Sequence, residues 1–177
     1  MKKLTVAFFI LCLLLLALLA YRGRGSLSYE LGFSPNGKSL QIVLNGISEA
    51  KESILVAAYS FTSKPISETL LEAHKRGVKV ALVADQKGNS GGYTAVNFLA
   101  NNDIPVRLNE RYAILHHKFM VIDGKTVQIG SFNYSSSAVD KNAENVLLLK
   151  NVPDIASKYA KEWNRLWDEG VDVKKNY

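Results

Sequence analysis

The stretch that decides the fold runs from residue 116 to residue 144 and reads HHKFMVIDGKTVQIGSFNYSSSAVDKNAE. Its run from Phe119 to Ile122 consists of β-forming residues, and Asp123-Gly124 after it is a strong hairpin-turn signal. A second apolar run, from Thr126 to Ile129, follows directly. The stretch therefore predicts two antiparallel strands joined by a tight turn.

Polar residues stand at even spacing around these two strands. His116 and Lys118 are two positions apart, so on a strand they would project from the same face. Ser131 and Asn133 share one parity after the second strand, and Glu144 opens the next apolar run. If the strands are neighbours, an imidazole, an ammonium group, a hydroxyl, a carboxamide and a carboxylate converge on one patch. Such a patch could hold an anion and attack it.

This set of groups suits cleavage of a phosphodiester without a metal. Imidazole can act as nucleophile or acid near neutral pH, and Lys118 and Asn133 can donate hydrogen bonds to phosphoryl oxygens. Glu144 is the candidate for fixing the ring of His116 through one of its nitrogens. The sequence has no H-E-x-x-H motif, paired acidic motif or cysteine-histidine cluster, so we expect no metal and no cofactor.

His116-x-Lys118, followed after four residues by Asp123, resembles the HxKxxxxD signature of the phospholipase D superfamily. Gly130-Ser131-x-Asn133 and the later acidic residue Glu144 strengthen the match. The chain is particularly similar to the small bacterial endonucleases of that superfamily, which carry one copy of the motif. The resemblance implies an α/β fold, with a mixed β-sheet and helices on both faces. It also implies a two-step reaction through a phosphohistidine.

The motif leads to further expectations about the subunits and about individual residues. The two-step reaction needs a second histidine, and a chain with one motif copy must obtain it from another subunit, so we expect a homodimer with a two-fold axis through the site. Asp123 stands at an odd offset from Lys118, which turns it off the reactive face, so we expect it to be structural. His117 also breaks the parity and is expected at the rim. Ser131, Lys118 and Asn133 are the expected phosphate-binding residues.

Length and composition fit one catalytic domain. The chain has 177 residues and a formal charge of +6, which is mildly basic and permits a polyanionic partner without requiring one. We assign residues 26–177 to the phosphodiesterase domain, because a second lobe would not fit. The single cysteine, Cys12, excludes an intrachain disulfide.

Residues 1–25 form a signal peptide or an N-terminal membrane anchor with a short linker. Two lysines precede an apolar run over residues 4–20, which is typical of an export signal and approaches the length that spans a bilayer. Both alternatives put the domain outside the cytoplasm. We expect a periplasmic or secreted protein, with anchorage in the inner membrane as the alternative.

The rest of the chain alternates strand and helix patterns. The expected strands are Tyr29–Phe33, Ser53–Ser60, Val78–Ala84, Pro105–Leu108 and Asn145–Lys150. The expected helices are Ser39–Ala50, a segment capped by Thr62 or Ser63 and ending at Arg76, Ala95–Asn101 and Val152–Glu169. Strand, helix, strand in this order predicts a parallel crossover, whereas the later hairpin predicts antiparallel pairing. The last helix places Ile155, Tyr159, Trp163 and Leu166 on one apolar stripe.

The leading hypothesis is a metal-independent phosphodiesterase that hydrolyses nucleic acid, DNA or RNA, with little sequence preference. One alternative is a phospholipase D-type lipid phosphodiesterase held at a membrane. Another is a non-catalytic nucleic-acid-binding protein. Tyr59 and Lys87 follow strands where substrate could pass, although exposed tyrosine and lysine are common in any protein.

Overall fold

The structure is a computed structural model that describes residues 12–13, 25–90 and 94–175. The predicted signal or anchor lies outside the described residues, apart from positions 12, 13 and 25. Within the described ranges, no helix combines the length and apolarity needed to cross a bilayer.

The described ranges contain eight strands and five α-helices, and the elements that the sequence predicts occur in the predicted order. The strands are β1 (Ser28–Ser34), β2 (Ser53–Ala58), β3 (Lys79–Asp85), β4 (Val106–Asn109), β5 (Lys118–Ile122), β6 (Thr126–Gly130), β7 (Glu144–Lys150) and β8 (Val171–Asp172). The helices are α1 (Lys38–Glu49), α2 (Lys64–Lys75), α3 (Ala95–Asn101), α4 (Ser136–Asp140) and α5 (Pro153–Asp168). A short 3₁₀ helix covers Lys87–Asn89.

All eight strands form one mixed sheet in the order β1-β7-β6-β5-β2-β3-β4-β8. The pairs β2–β3 and β3–β4 are parallel, while the other neighbours are antiparallel. The hairpin between β5 and β6 turns at Asp123 and Gly124, which both have positive φ, as this turn requires. The predicted mixed sheet is confirmed.

Helices cover both faces of the sheet, as predicted. Alternation along β2 illustrates the two layers, because Val56 belongs to the core under α1, α2 and α3, whereas Ala57 faces the core under α5. Trp163 of α5 lies in that second core and donates its indole N–H to the carbonyl of Val56 at 2.8 Å. The domain is thus a three-layer α/β structure.

The structure corrects three details of the prediction. β5 begins at Lys118, so His116 precedes the strand instead of lying on it. The N–H of Leu115, directly before His116, donates to the carboxylate of Asp85 and is therefore not engaged in the sheet ladder. Ile155 is 38% exposed and Ala156 is buried in its place, because either position satisfies helical spacing to Tyr159. In addition, α4 and β8 were not predicted from the sequence.

Candidate active site at one edge of the sheet

The topology brings the ends of five strands to one edge of the sheet. β2 and β3 are parallel and both end there, and β5 begins there because it runs antiparallel to β2, with Lys118 opposite Ala58. β6 ends and β7 begins at the same edge, with Gly130 opposite Val146. Residues that are far apart in sequence therefore meet at this edge.

His116 is exposed at this edge and its ring packs on the ring of Tyr59. The two ring centroids lie 4.9 Å apart with an interplanar angle of 55°. Tyr59 directly follows β2 and is half-buried. The imidazole is therefore supported on one side by an aromatic ring, while its exposure leaves it open to a ligand.

Lys118 is the buried cation of the site, with 8% of its surface exposed. Its Nζ donates to the carbonyl oxygen of His116 at 2.7 Å and lies 5.2 Å from the centroid of the Tyr59 ring. Burial lowers the pKa of Lys118, and the negative charge of Glu144 acts in the opposite direction. An ammonium group has three donors, so Lys118 can still donate to an anion bound at this edge.

Ser131 and Glu144 form a hydrogen-bonded pair beside the cation. The hydroxyl of Ser131 donates to Glu144 Oε2 at 2.5 Å, and Asn142 Nδ2 donates to Oε1 at 2.9 Å. The backbone N–H of Asn145 donates to Ser131 Oγ at 3.1 Å. Within the described residues, no hydrogen bond joins Glu144 to His116 of the same chain. The predicted role of Glu144 in fixing that ring stays a prediction.

Gly130 permits the close approach of β6 and β7 at this point. Its φ is 146°, and a Cβ atom there would lie 2.1 Å from the carbonyl oxygen of Asn145. Any side chain would force the two strands apart and separate Ser131 from Glu144. The glycine before the serine is therefore required by the backbone.

Asn133 follows β6 at the same edge, and its Oδ1 is buried without a hydrogen-bond partner among the described residues. The next carbonyl, that of Tyr134, accepts bonds from the N–H groups of Thr62 and Ser63, both at 2.8 Å. These bonds hold the segment after β6 against the segment after β2. A buried carboxamide oxygen without a partner is costly. Because Oδ1 is an acceptor, only the Nδ2 of Asn133 can donate to an anionic ligand at this edge.

Asp123 lies at the opposite end of β5. Its carboxylate accepts hydrogen bonds from the backbone N–H groups of Lys51, Glu52 and Ser53, at 2.7–3.1 Å. The signature aspartate thus ties the hairpin to the start of β2, far along the strand from His116.

The other sequence candidates lie around the rim. His117 is exposed, with Nε2 3.3 Å from Glu162 Oε1, and its ring packs edge-on against Phe119 on the α5 side. Lys87 Nζ reaches the carbonyl of Ala113 at 3.5 Å.

Within the described ranges, no group of three or more acidic, histidine or cysteine side chains could hold a metal ion. Tyr59 is the residue whose contact with the site the sequence could not show, because only the pairing of β2 with β5 reveals it.

Comparison with known proteins identifies the family. Residues 43–167 match the family model described as cardiolipin synthase, PLD-like domain. The chain therefore belongs to the phospholipase D superfamily, a class of phosphodiesterases, as its signature predicted.

A solved structure aligns with most of this chain. It is Nuc from Salmonella typhimurium, a phospholipase D family member, which shares 39% identity with a TM-score of 0.83. The alignment covers 85% of this chain and 100% of Nuc.

Two curated relatives carry the names of lipid enzymes. A phospholipase D of Rickettsia conorii is 32% identical over 74% of this chain, and a mitochondrial cardiolipin hydrolase of Chlamydomonas reinhardtii is 30% identical over 77%. The matched regions span 65% and 60% of the length of those two relatives.

Proposed function

We propose that the protein is a metal-independent, sequence-nonspecific endonuclease that hydrolyses phosphodiester bonds of DNA or RNA through a phosphohistidine intermediate. The observation that carries the proposal is the exposed imidazole of His116 beside the buried ammonium of Lys118 at an open edge of the sheet. The cation attracts the phosphate, and the imidazole is free to attack it.

The reaction has two steps. A nitrogen of His116 attacks phosphorus, the P–O bond to the leaving group breaks, and a second, protonated imidazole gives its proton to the departing alkoxide. Water then attacks the phosphohistidine, the second imidazole takes up the proton of the water, and the P–N bond breaks. Lys118 and the Nδ2 of Asn133 hold the phosphoryl oxygens during both steps, while Ser131, whose hydroxyl donates to Glu144, supports the site through that carboxylate.

The second imidazole comes from a second copy of the chain. The sequence contains three histidines, of which His74 lies in the last turn of α2 and His117 turns towards Glu162 on α5. Each chain therefore brings one imidazole to its site, His116. In the proposed homodimer the two copies of His116 face one phosphate, and Glu144 of one chain orients His116 of the other.

An uncovered apolar surface supports the dimer. Tyr29, Leu31 and Phe33 project from the edge strand β1 on the face of the sheet that α5 covers elsewhere, and they are 65%, 41% and 56% exposed. Phe33 is paired with Asn145 in β7, next to Glu144, so this surface runs up to the active edge. Contiguous apolar surface of this kind is typical of an interface.

Nucleic acid is the favoured substrate because the chain has one motif copy, like the small bacterial endonucleases of the superfamily, and covers the whole of Nuc. The second candidate, a phospholipid, is favoured by the names of the two curated relatives and by the apolar residues 4–20. The domain would act outside the cytoplasm, secreted or held at the inner membrane by that segment. Cell fractionation with N-terminal sequencing distinguishes these two states.

Two assays on the purified full chain, both in excess EDTA, test the proposal. We expect nicking of supercoiled plasmid and no release of head group from labelled phosphatidyl lipid vesicles. Release of head group alone would favour the lipid enzyme, and binding of DNA without cleavage would favour the non-catalytic reading. Complete inhibition by EDTA would contradict the metal-independent chemistry.

A further inference from the structure

A buried carboxylate lies behind the active edge, at the end of β3. Asp85 is 2% exposed, and its two oxygens accept hydrogen bonds from different loops. Oδ1 accepts from the N–H of Gly88 and Oδ2 from the N–H of Leu115, both at 2.7 Å. Among the described residues, no cationic side chain pairs with this carboxylate. It is therefore held by backbone donors, one of which directly precedes His116.

Asn89 extends this connection to the other side of the site. Its Nδ2 donates to the carbonyl of Tyr59 at 2.7 Å and to that of Asp85 at 2.8 Å, and its Oδ1 accepts from the N–H of Phe61 at 2.9 Å. Asn89 is buried, and all three bonds are to backbone. The carboxamide thus fixes the backbone on both sides of Ser60, directly after β2.

The two segments held in this way carry the two rings that meet in the site. Asp85 holds the backbone before His116, Asn89 holds the backbone of Tyr59, and the rings of Tyr59 and His116 lie 4.9 Å apart. Gly88 packs so closely against Tyr59 that a Cβ atom would lie 2.9 Å from the carbonyl oxygen of Tyr59. Asp85, Gly88 and Asn89 together form what we call the β3 clamp.

A carboxylate suits this position better than its neutral analogue. Both bonds to Asp85 come from N–H donors, and a carboxylate offers only acceptors, whereas an asparagine would direct its NH₂ group at one of those donors. Burying a charge without a cation is costly unless several donors satisfy it. The local fold therefore depends on both bonds, and the loss of one releases either the Gly88 loop or the segment that leads into β5.

We propose that Asp85 and Asn89 are positioning residues for His116 and Tyr59. Asp85 acts through the N–H of Leu115, which places His116 off the β5 ladder and over the Tyr59 ring. Neither residue of the pair contacts substrate. The inference rests on the proposed function only in taking His116 as the reacting group.

The decisive variant is Asp85→Asn, with Asp123→Asn as the matched control. Asp123 also accepts only backbone N–H bonds, but at the far end of β5, so its substitution tests a loss of stability without a change in the site. Activity is measured in the full chain with bis(4-nitrophenyl) phosphate as substrate, and Tm is measured in parallel.

We expect Asp85→Asn to lower kcat by about 100-fold with little change in KM, since small misplacements of a reacting group cost about that much. The pH profile of kcat should change shape as well, because the substitution alters the surroundings of the His116 imidazole. Asp123→Asn should lose a similar amount of Tm and keep kcat within about twofold of the wild type. Equal losses of kcat in the two variants, or a wild-type kcat and pH profile in Asp85→Asn, would overturn the proposal.

A second variant keeps the test available if Asp85→Asn does not fold. Gly88→Ala keeps every donor and acceptor group of the clamp but places a methyl group against the carbonyl oxygen of Tyr59, which must shift, so kcat should again fall while KM stays unchanged. Nuclear Overhauser contacts between the rings of Tyr59 and His116 provide a readout independent of activity. They should be lost or weakened in either clamp variant, and their retention at wild-type strength would contradict the inference. An inactive wild type with intact ring contacts would instead refute the proposed function alone.

Discussion

The two ends of β5 carry residues of the same sequence signature but differ in how their polar groups are bonded. At the Asp123 end, a carboxylate accepts bonds from three backbone N–H groups and is satisfied. At the Lys118 end, the ammonium donates to the backbone carbonyl of His116, and Oδ1 of Asn133 at the same edge has no partner among the described residues. The signature therefore marks a strand whose Asp123 end is fixed by hydrogen bonds to backbone, while its Lys118 end leaves polar groups available to a ligand.

The largest expected effect is at the reactive end. His116→Ala removes the nucleophile, so activity should fall by at least about four orders of magnitude, while folding and dimer formation persist. Plasmid nicking and size-exclusion chromatography measure the two properties. His117→Ala is the matched control, because its side chain points to Glu162, and it should retain activity within about twofold. Residual activity of His116→Ala near wild type would remove His116 from the mechanism.

Lys118→Met should lower activity by about 10²–10³-fold, since it removes the cation that holds the phosphate. The same change should leave Tm equal or higher, because burial of the charge lowers the pKa of Lys118 and so disfavours its protonated form in the folded protein.

The pH dependence of stability checks the same point. Between the lowered folded pKa of Lys118 and its higher unfolded pKa, the unfolded chain binds more protons, so the stability of the wild type rises with pH across that window. Denaturant titrations of Lys118→Met should lack this rise. A clear loss of stability in the variant would mean that the ammonium is a structural group.

At the Asp123 end of β5, we expect substitution to lower stability and to leave activity nearly unchanged. Asp123→Asn keeps an acceptor but loses the charge, so the free energy of unfolding should fall by about 1 kcal/mol. The asparagine tolerates the positive φ at this position, so no backbone strain is added. Activity per folded molecule should stay within about twofold of the wild type, and a loss comparable to that of Lys118→Met would place Asp123 in the chemistry.

The smallest effect concerns the ring between the two reactive groups. Tyr59→Ala removes the support of His116 and the cation–π contact with Lys118, so kcat should fall by about fivefold. Tyr59→Phe keeps the ring and should match the wild type. Steady-state kinetics of both variants separate the ring from the hydroxyl, and a large loss in Tyr59→Phe would assign a chemical role to the hydroxyl.

The sequence predicted the strands well because strands depend on local patterns. Alternating apolar residues and the Asp-Gly turn define β5 and β6, and the fixed spacing of His116, Lys118 and Asp123 identifies the family. The contact between Tyr59 and His116 could not be predicted, since it depends on which strands pair.

The position of His116 before β5 was missed for a related reason. In our proposal Asp85 sets that position through the N–H of Leu115, 30 positions further along the chain, and the buried carboxylate has no local sequence signal. Long-range hydrogen bonds to backbone leave no periodic pattern, so the parity of His116 and Lys118 suggested a longer strand than the protein forms.

The measurement that tests the central claim most directly is activity in mixed dimers. Wild type and His116→Ala are unfolded together, refolded at several ratios, and assayed for phosphodiester cleavage. If one phosphate needs His116 from both chains, mixed dimers are inactive and activity follows the square of the wild-type fraction, about one quarter at an equal mixture. Activity that falls in direct proportion to the wild-type fraction would show that each chain acts alone, and would contradict the composite site.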